Sequence, residues 1–236
     1  MAPVTEFVLL PLKPDTAPES VTSVIQANIA TLLAQPGCQR VRSSRTHEDP
    51  HKLRLFADWT SIDDHRAFAA NTSVYGPFLQ RMGPIIDASV FGPSNPRRPP
   101  HHVEFSSWPP SALDGAGKGK SPVAEVLQIY FAGDVSDSAR ASIEGTAKEF
   151  LEKLAGSAKG MTRENALGWS VEKDVPFKGE PSRIFTAVVG WTSVEEHNKT
   201  RETEEFKQLI PMIRNLEGLK GMEMCHVSNV TVENTK

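Results

Sequence analysis

Two histidines stand in the same seven-residue setting. Trp59-Thr-Ser-Ile-Asp-Asp-His65 is matched by Trp191-Thr-Ser-Val-Glu-Glu-His197, with four of the seven positions identical, the other three conservative, and an offset of 191 − 59 = 132 residues. In each copy a serine precedes an acid by three residues (Ser61 and Asp64, Ser193 and Glu196), the pattern of an N-cap that opens a helix. These four residues are therefore read as structural. Each histidine then falls in the first helical turn, close to the positive end of the helix dipole, where its protonated form is disfavoured. A neutral imidazole there accepts a proton, as a general base must. The plainer reading is that each imidazole packs over the tryptophan of the preceding strand. The second helix carries Lys199, Arg201, Glu202 and Glu204 and looks the more solvated. His65 is thus the candidate base, and His197 is grouped with the residues that line a binding site.

Other residues could assist. Tyr75 lies ten positions after His65, almost three helical turns, and is a candidate phenolic donor if Pro77 leaves the helix continuous. Trp59 and Trp191 end strands, where they pack the core or stack on a flat ligand. Phe68 and Phe78 follow on the first helical stretch. In the strand-like run Glu125–Phe131, Gln128 and Tyr130 share one face. Trp169 and Arg183 sit in the middle strands of the second half. His101-His102 follows a proline run and reads as solvated. Cys38 and Cys225 are the only cysteines, without a CxxC pair or a His/Cys cluster, so neither a disulfide framework nor a metal site is expected. There is no phosphate loop, dinucleotide fingerprint, nucleophile elbow or His-Glu-x-x-His motif, and no cofactor is expected.

The elements that position these residues repeat with the motif. An apolar run at Phe7–Leu12 corresponds to Val126–Phe131. A helical pattern at Val21, Val24, Ile25, Ile29, Leu32 and Leu33 corresponds to Ile143, Ala147, Phe150, Leu151 and Leu154. Two strand-like stretches follow in each half, 38–47 with 52–59 and 162–174 with 183–191, then the motif helix and a closing strand. The order β-α-β-β-α-β, twice, is the ferredoxin-like plan. The predicted fold is α+β, with two tandem ferredoxin-like halves packed sheet to sheet, because each half leaves one sheet face bare. Residues 1–92 form the first half and 123–236 the second. Between them 93–122 reads as a Pro/Gly-rich linker, with 103–108 a potential strand and 114–121 mobile.

A formal net charge of −3 argues against nucleic acid or an anionic membrane as an obligate partner. The N-terminal apolar run lacks a basic region and a cleavage site, and no apolar stretch reaches membrane-spanning length. A cytoplasmic location is expected.

The Trp-x-Ser segment, followed by Phe68, Tyr75 and Phe78, resembles the strand-to-helix segment of the antibiotic biosynthesis monooxygenase-like families, in the dimeric α/β-barrel superfamily that also holds stress-responsive barrel proteins. That resemblance implies a fused version of the barrel, in which one chain supplies both halves. The superfamily includes cofactor-independent monooxygenases, haem-degrading oxygenases and polyketide cyclases. The cyclase Tyr/His pair falls near Phe68 and Val74 and is not kept, and the haem-degrading members' histidine falls near Ala69. The expected function is cofactor-independent oxygenation of a phenolic, polyketide-like substrate, with His65 as base and Trp59 and Tyr75 placing the ring. A cyclisation or isomerisation in the same cavity is the near alternative. A non-catalytic ligand-binding barrel or a scaffold is the reading from another class, and a homodimer is not excluded.

Overall fold

The computed structural model describes residues 2–91 and 99–234. The first half runs β1 (Val4–Pro11), α1 (Pro18–Leu33), β2 (Cys38–Arg45), β3 (Lys52–Trp59), α2 (Ile62–Ala70), α3 (Thr72–Met82) and β4 (His101–Phe105). The second runs β5 (Val123–Ala132), α4 (Asp137–Ala155), β6 (Met161–Ser170), β7 (Val175–Phe177), β8 (Glu180–Trp191), α5 (Val194–Glu202), α6 (Glu204–Leu209), α7 (Pro211–Arg214), β9 (Gly221–Val227) and β10 (Val230–Glu233). Pro18 and Pro211 stand at helix starts, where a missing N–H costs nothing. Pro77 lies in the middle of α3, and the chain has already broken at Asn71 to begin that helix.

All strand pairs are antiparallel, in the order β10-β2-β3-β1-β4-β6-β8-β5-β9, with β7 on the flank of β8. Each half therefore has the same four-strand order, β4-β1-β3-β2 and β9-β5-β8-β6. The halves join edge to edge at β4–β6 and at β10–β2. A bridge from Thr46 to Val227, with His47 N–H donating to the His226 carbonyl, ties the last strand back to the first edge and curls the sheet round on itself. Pairing β2 with β10 and β4 with β6 covers both edges of the first half's sheet.

Among the described residues strand alternation splits the core into three large parts, beside a small cluster of Tyr130, Val175, Phe177 and Ile184. One face of the first half's sheet (Val4, Leu10, Leu53, Leu55, Trp59) packs on Ile25, Ile29, Phe68 and Phe78 of the helices. The second half repeats this with Ile129, Phe131, Val189 and Trp191 against Ile143, Phe150, Leu154 and Phe206. The inner face (Phe7, Phe56, Val103, Val126, Val188, Val227) forms a separate interior core between the halves.

The stretch read as a linker is more than a connector. Its portion up to residue 98, including Arg97-Arg98, lies outside the described residues. Beyond it, His101–Phe105 is the fourth strand of the first half, placed between β1 and β6. A 3-10 turn at Ser111–Asp114 then buries Ala112 and Leu113 in the interior core. Asp114 accepts from Arg42 Nε at 2.6 Å, and Arg42 also reaches Asp58 at 2.9 Å. The fully buried guanidinium is destabilised by desolvation, yet these two carboxylates outweigh that and hold it firmly charged. The short turn is thereby fixed across the sheet.

Candidate active site

In both halves the N-cap expectation is met: Ser61 Oγ accepts from the Asp64 amide, and Ser193 Oγ from the Glu196 amide. A glycine sits against each acid. A side chain at Gly37 would meet Asp64 Cγ at 2.4 Å, and one at Gly160 would meet Glu196 Cβ at 2.3 Å, so the helix start and the preceding loop can close only over glycine. That contact sets where α2 and α5 present their first-turn histidines.

What those histidines meet was not legible in the motif. On β1, Glu6 lies across from His102 of β4, and on β5, Glu125 lies across from His226 of β9. The same two registers point all four side chains to the helix-covered side. In the first half His65 Nδ1 is 2.8 Å from His102 Nε2, and His102 Nδ1 is 2.7 Å from Glu172 Oε1. His65 Nε2 faces Glu6 Oε1 at 3.4 Å, while Trp59 Nε1–H donates to Glu6 Oε2 at 3.2 Å. In the second half His197 Nδ1 is 2.7 Å from His226 Nε2, and His226 Nδ1 is 2.5 Å from Glu48 Oε1. His197 Nε2 faces Glu125 Oε2 at 3.5 Å, and Trp191 Nε1–H donates to that oxygen at 3.1 Å. Each half thus holds a row of carboxylate, imidazole, imidazole and carboxylate. The outermost carboxylate always comes from the other half: Glu172 follows β6 and Glu48 follows β2.

The electrostatics give each row a direction. Burial, reinforced by His226, holds His197 neutral with its pKa pushed down to about 3. Burial likewise lowers that of His65. Burial, with a smaller push from the Glu48 charge, outweighs the Trp191 hydrogen bond and moves the Glu125 carboxyl up to about 7. Burial also works against ionised Glu48 and Glu172, but hydrogen bonds from His226 and His102 overcome it and lower both. One proton arrangement satisfies the second row. Glu125 carries a proton toward His197, His197 donates to His226, and His226 donates to ionised Glu48. The tautomers are assigned from this network.

The two rows differ in what covers them. Beside His197 and Glu125 lies a cavity of about 50 Å³ lined otherwise by apolar side chains, among them Leu127, Phe150, Leu167, Phe185, Phe206 and Ile210. At the first row Phe68, Tyr75 and Phe78 pack ring against ring, with centroids 5.2 to 5.9 Å apart. The 132-residue offset explains the contrast, because Phe68 corresponds to Thr200, Tyr75 to Lys207 and Phe78 to Ile210. Smaller or outward-reaching side chains leave space in the second half that rings occupy in the first.

The residues singled out from the sequence therefore separate. Trp59, His65, Phe68, Tyr75 and Phe78 come together around the first row. Trp191 and His197 stack with centroids 4.5 Å apart at the second. Trp169 packs in the second half's core beside Phe131 and Phe185. Tyr130 stacks on Phe177 and donates to Glu223, away from both rows. Gln128 reaches His101 in the interior. The reading of His101-His102 as solvated is corrected: both are buried, because β4 is an inner strand of the sheet. Glu6, Glu125, His226, Glu48 and Glu172 were missed. For Glu6 and Glu125 a signal existed, an acid inside an otherwise apolar strand at matching places in the repeat. The others depend on pairing between distant strands.

The family model for antibiotic biosynthesis monooxygenases matches residues 3–74. No curated protein matches the chain. Among solved structures, an anthrone oxidase-like protein superposes with a TM-score of 0.69 at 16% identity, over 100% of this chain and 95% of that one. A candidate monooxygenase from Fusobacterium nucleatum gives 0.58 at 10% identity, covering 99% and 95%. Another from Lactobacillus acidophilus gives 0.56 at 12%, covering 99% and 97%. At such identities these likenesses speak for the fold. The monooxygenase family model thus matches within the first half, and the whole chain shares its fold with these α/β-barrel structures.

Proposed function

We propose that the chain is a cofactor-independent oxygenase of an electron-rich phenolic substrate, working in the second half's cavity. One observation carries this reading: the polar groups on that apolar cavity's wall are Glu125 and His197, the inner end of a row that leads to the half-exposed Glu48. Ionised Glu125 takes a proton from the substrate. His197 and His226 relay it toward Glu48, which lines a separate cleft of about 650 Å³ with Arg54 and Glu223. In the apolar cavity the substrate anion passes an electron to dioxygen, the two radicals combine as a peroxide anion, and the row returns the proton to it to give the hydroperoxide. Loss of water converts a CH₂ flanked by aromatic rings to C=O, so that one oxygen atom stays and the other leaves as water. The protein supplies orientation, exclusion of water, and the removal and return of one proton.

The cavity is smaller than a substrate of this class, whose sites usually enclose about 300 Å³ or more. Its cover, however, is made of the short helices α6 and α7, through Phe206, Ile210 and Ile213. Entry is read as an outward shift of these two helices. The likeness to an anthrone oxidase-like protein agrees with a fused-ring substrate. Cyclisation or isomerisation would use the same base and leave the mass unchanged. Metabolite profiling of a strain lacking this gene, fed ¹⁸O₂, separates these readings. The compound lost should carry one labelled oxygen absent from the compound that accumulates. Equal masses would replace oxygenation with isomerisation, and an unchanged profile under producing conditions would overturn the biosynthetic reading.

A further inference from the structure

Among the described residues, rings pack beside the first half's row where the second half has its cavity, yet the row keeps its polar groups. Among the described residues, Glu6, His65 and His102 are the group of three metal-type donors whose ligand atoms all lie within 4.8 Å of one another. Their twins Glu125, His197 and His226 do not fall within that reach. We infer that Glu6, His65 and His102 form a binding site for one divalent transition-metal ion of the zinc type.

Donor chemistry, separation and support all bear on this. Two imidazoles and a carboxylate suit zinc and its neighbours, and three protein ligands leave a further position for water. His65 Nδ1 and His102 Nε2 stand 2.8 Å apart. Two adjacent ligands on such an ion, at bonds of roughly 2.0–2.1 Å, sit about 3 Å from one another. Because His65 now faces His102 through Nδ1 and Glu6 through Nε2, binding requires its ring and the Glu6 carboxylate to rotate toward one point within the 4.8 Å that encloses the three ligand atoms. The groups behind the ligands are already in place. A metal-bound histidine characteristically donates its other ring N–H to a carboxylate. His102 does so through Nδ1 to Glu172 Oε1, and Glu172 Oε2 is held in turn by the His102 backbone N–H at 2.8 Å. The far oxygen of Glu6 is fixed by Trp59 Nε1–H. The ligands come from β1, α2 and β4, with support from beyond β6, so the ion would clamp the seam where the two halves meet. The site is independent of the oxygenase reading.

The test is metal uptake by the purified full-length chain, made metal-free and titrated with Zn²⁺ or Co²⁺. One equivalent should bind, with Co²⁺ giving the intense visible absorption of a four- or five-coordinate ion. His65→Gln and His102→Gln should abolish binding, and His197→Gln should leave it intact. Glu172→Gln retains all three ligands and should weaken affinity about 10- to 100-fold, a readout that survives if a ligand variant fails to fold. No uptake, uptake preserved in His65→Gln and His102→Gln, or uptake lost equally in His197→Gln would each overturn the assignment. None of these results bears on oxygen incorporation in the second half.

Discussion

At the scale of the residue, Glu125 is the group whose behaviour the fold alters most usefully. Its carboxyl is moved by burial from the usual 4.5 to about 7. The folded protein then holds a proton that the unfolded chain releases, so between about 4.5 and 7 stability falls as pH rises, and the full cost is present above 7. A shift of this size corresponds to about 3 kcal/mol. Glu125→Gln removes the ionisable group and keeps an oxygen for Trp191 Nε1–H. In urea titrations the variant should be the more stable protein well above pH 7 and equal to the parent below 4.5. Equal stability at both ends would show that Glu125 titrates normally. The motif histidines were legible as neutral, first-turn imidazoles because dipole and capping are local effects. Their partners were not, since His65 meets His102 and His197 meets His226 only once strands far apart in sequence are paired.

At the scale of the element, the two halves share a frame and differ in filling. The repeat, helix starts and strand order could be read from apolar spacing, because each is dictated by a period or a cap. β4 could not be placed so readily: five residues among prolines carry little periodic signal, and their burial comes from β1 and β6 on either side. On the proposed reading, filling also decides which half works. Ile210 on the cover of the second cavity corresponds to Phe78, which closes the first. Ile210→Phe should therefore fill the cavity and lower turnover at least tenfold, with the melting temperature kept or raised, measured by product formation beside thermal unfolding. Full activity in a stably folded Ile210→Phe protein would place the substrate elsewhere.

At the scale of the whole molecule, fusion of the halves matters because each row is completed across the seam. Glu48 supports the second half's histidine pair from the first half, and Glu172 does the reverse. Neither row is whole in an isolated half. The turn at Ser111–Asp114, tied to Arg42 and packed by Leu113, fills the interior between them, while both histidine rows lie on the helix-covered faces. The central claim is that a buried acid on one of those faces removes the substrate's proton. Its most direct test is the pH–rate profile of the purified protein on the compound that accumulates in the deletion strain, beside that of Glu125→Gln. Because the base must be ionised to act, kcat/KM should rise with pH through about 7 and level off above it. Glu125→Gln should stay folded and lose at least a hundredfold in rate, a typical general-base contribution. A flat profile, or a Glu125→Gln variant as active as the parent, would contradict the account.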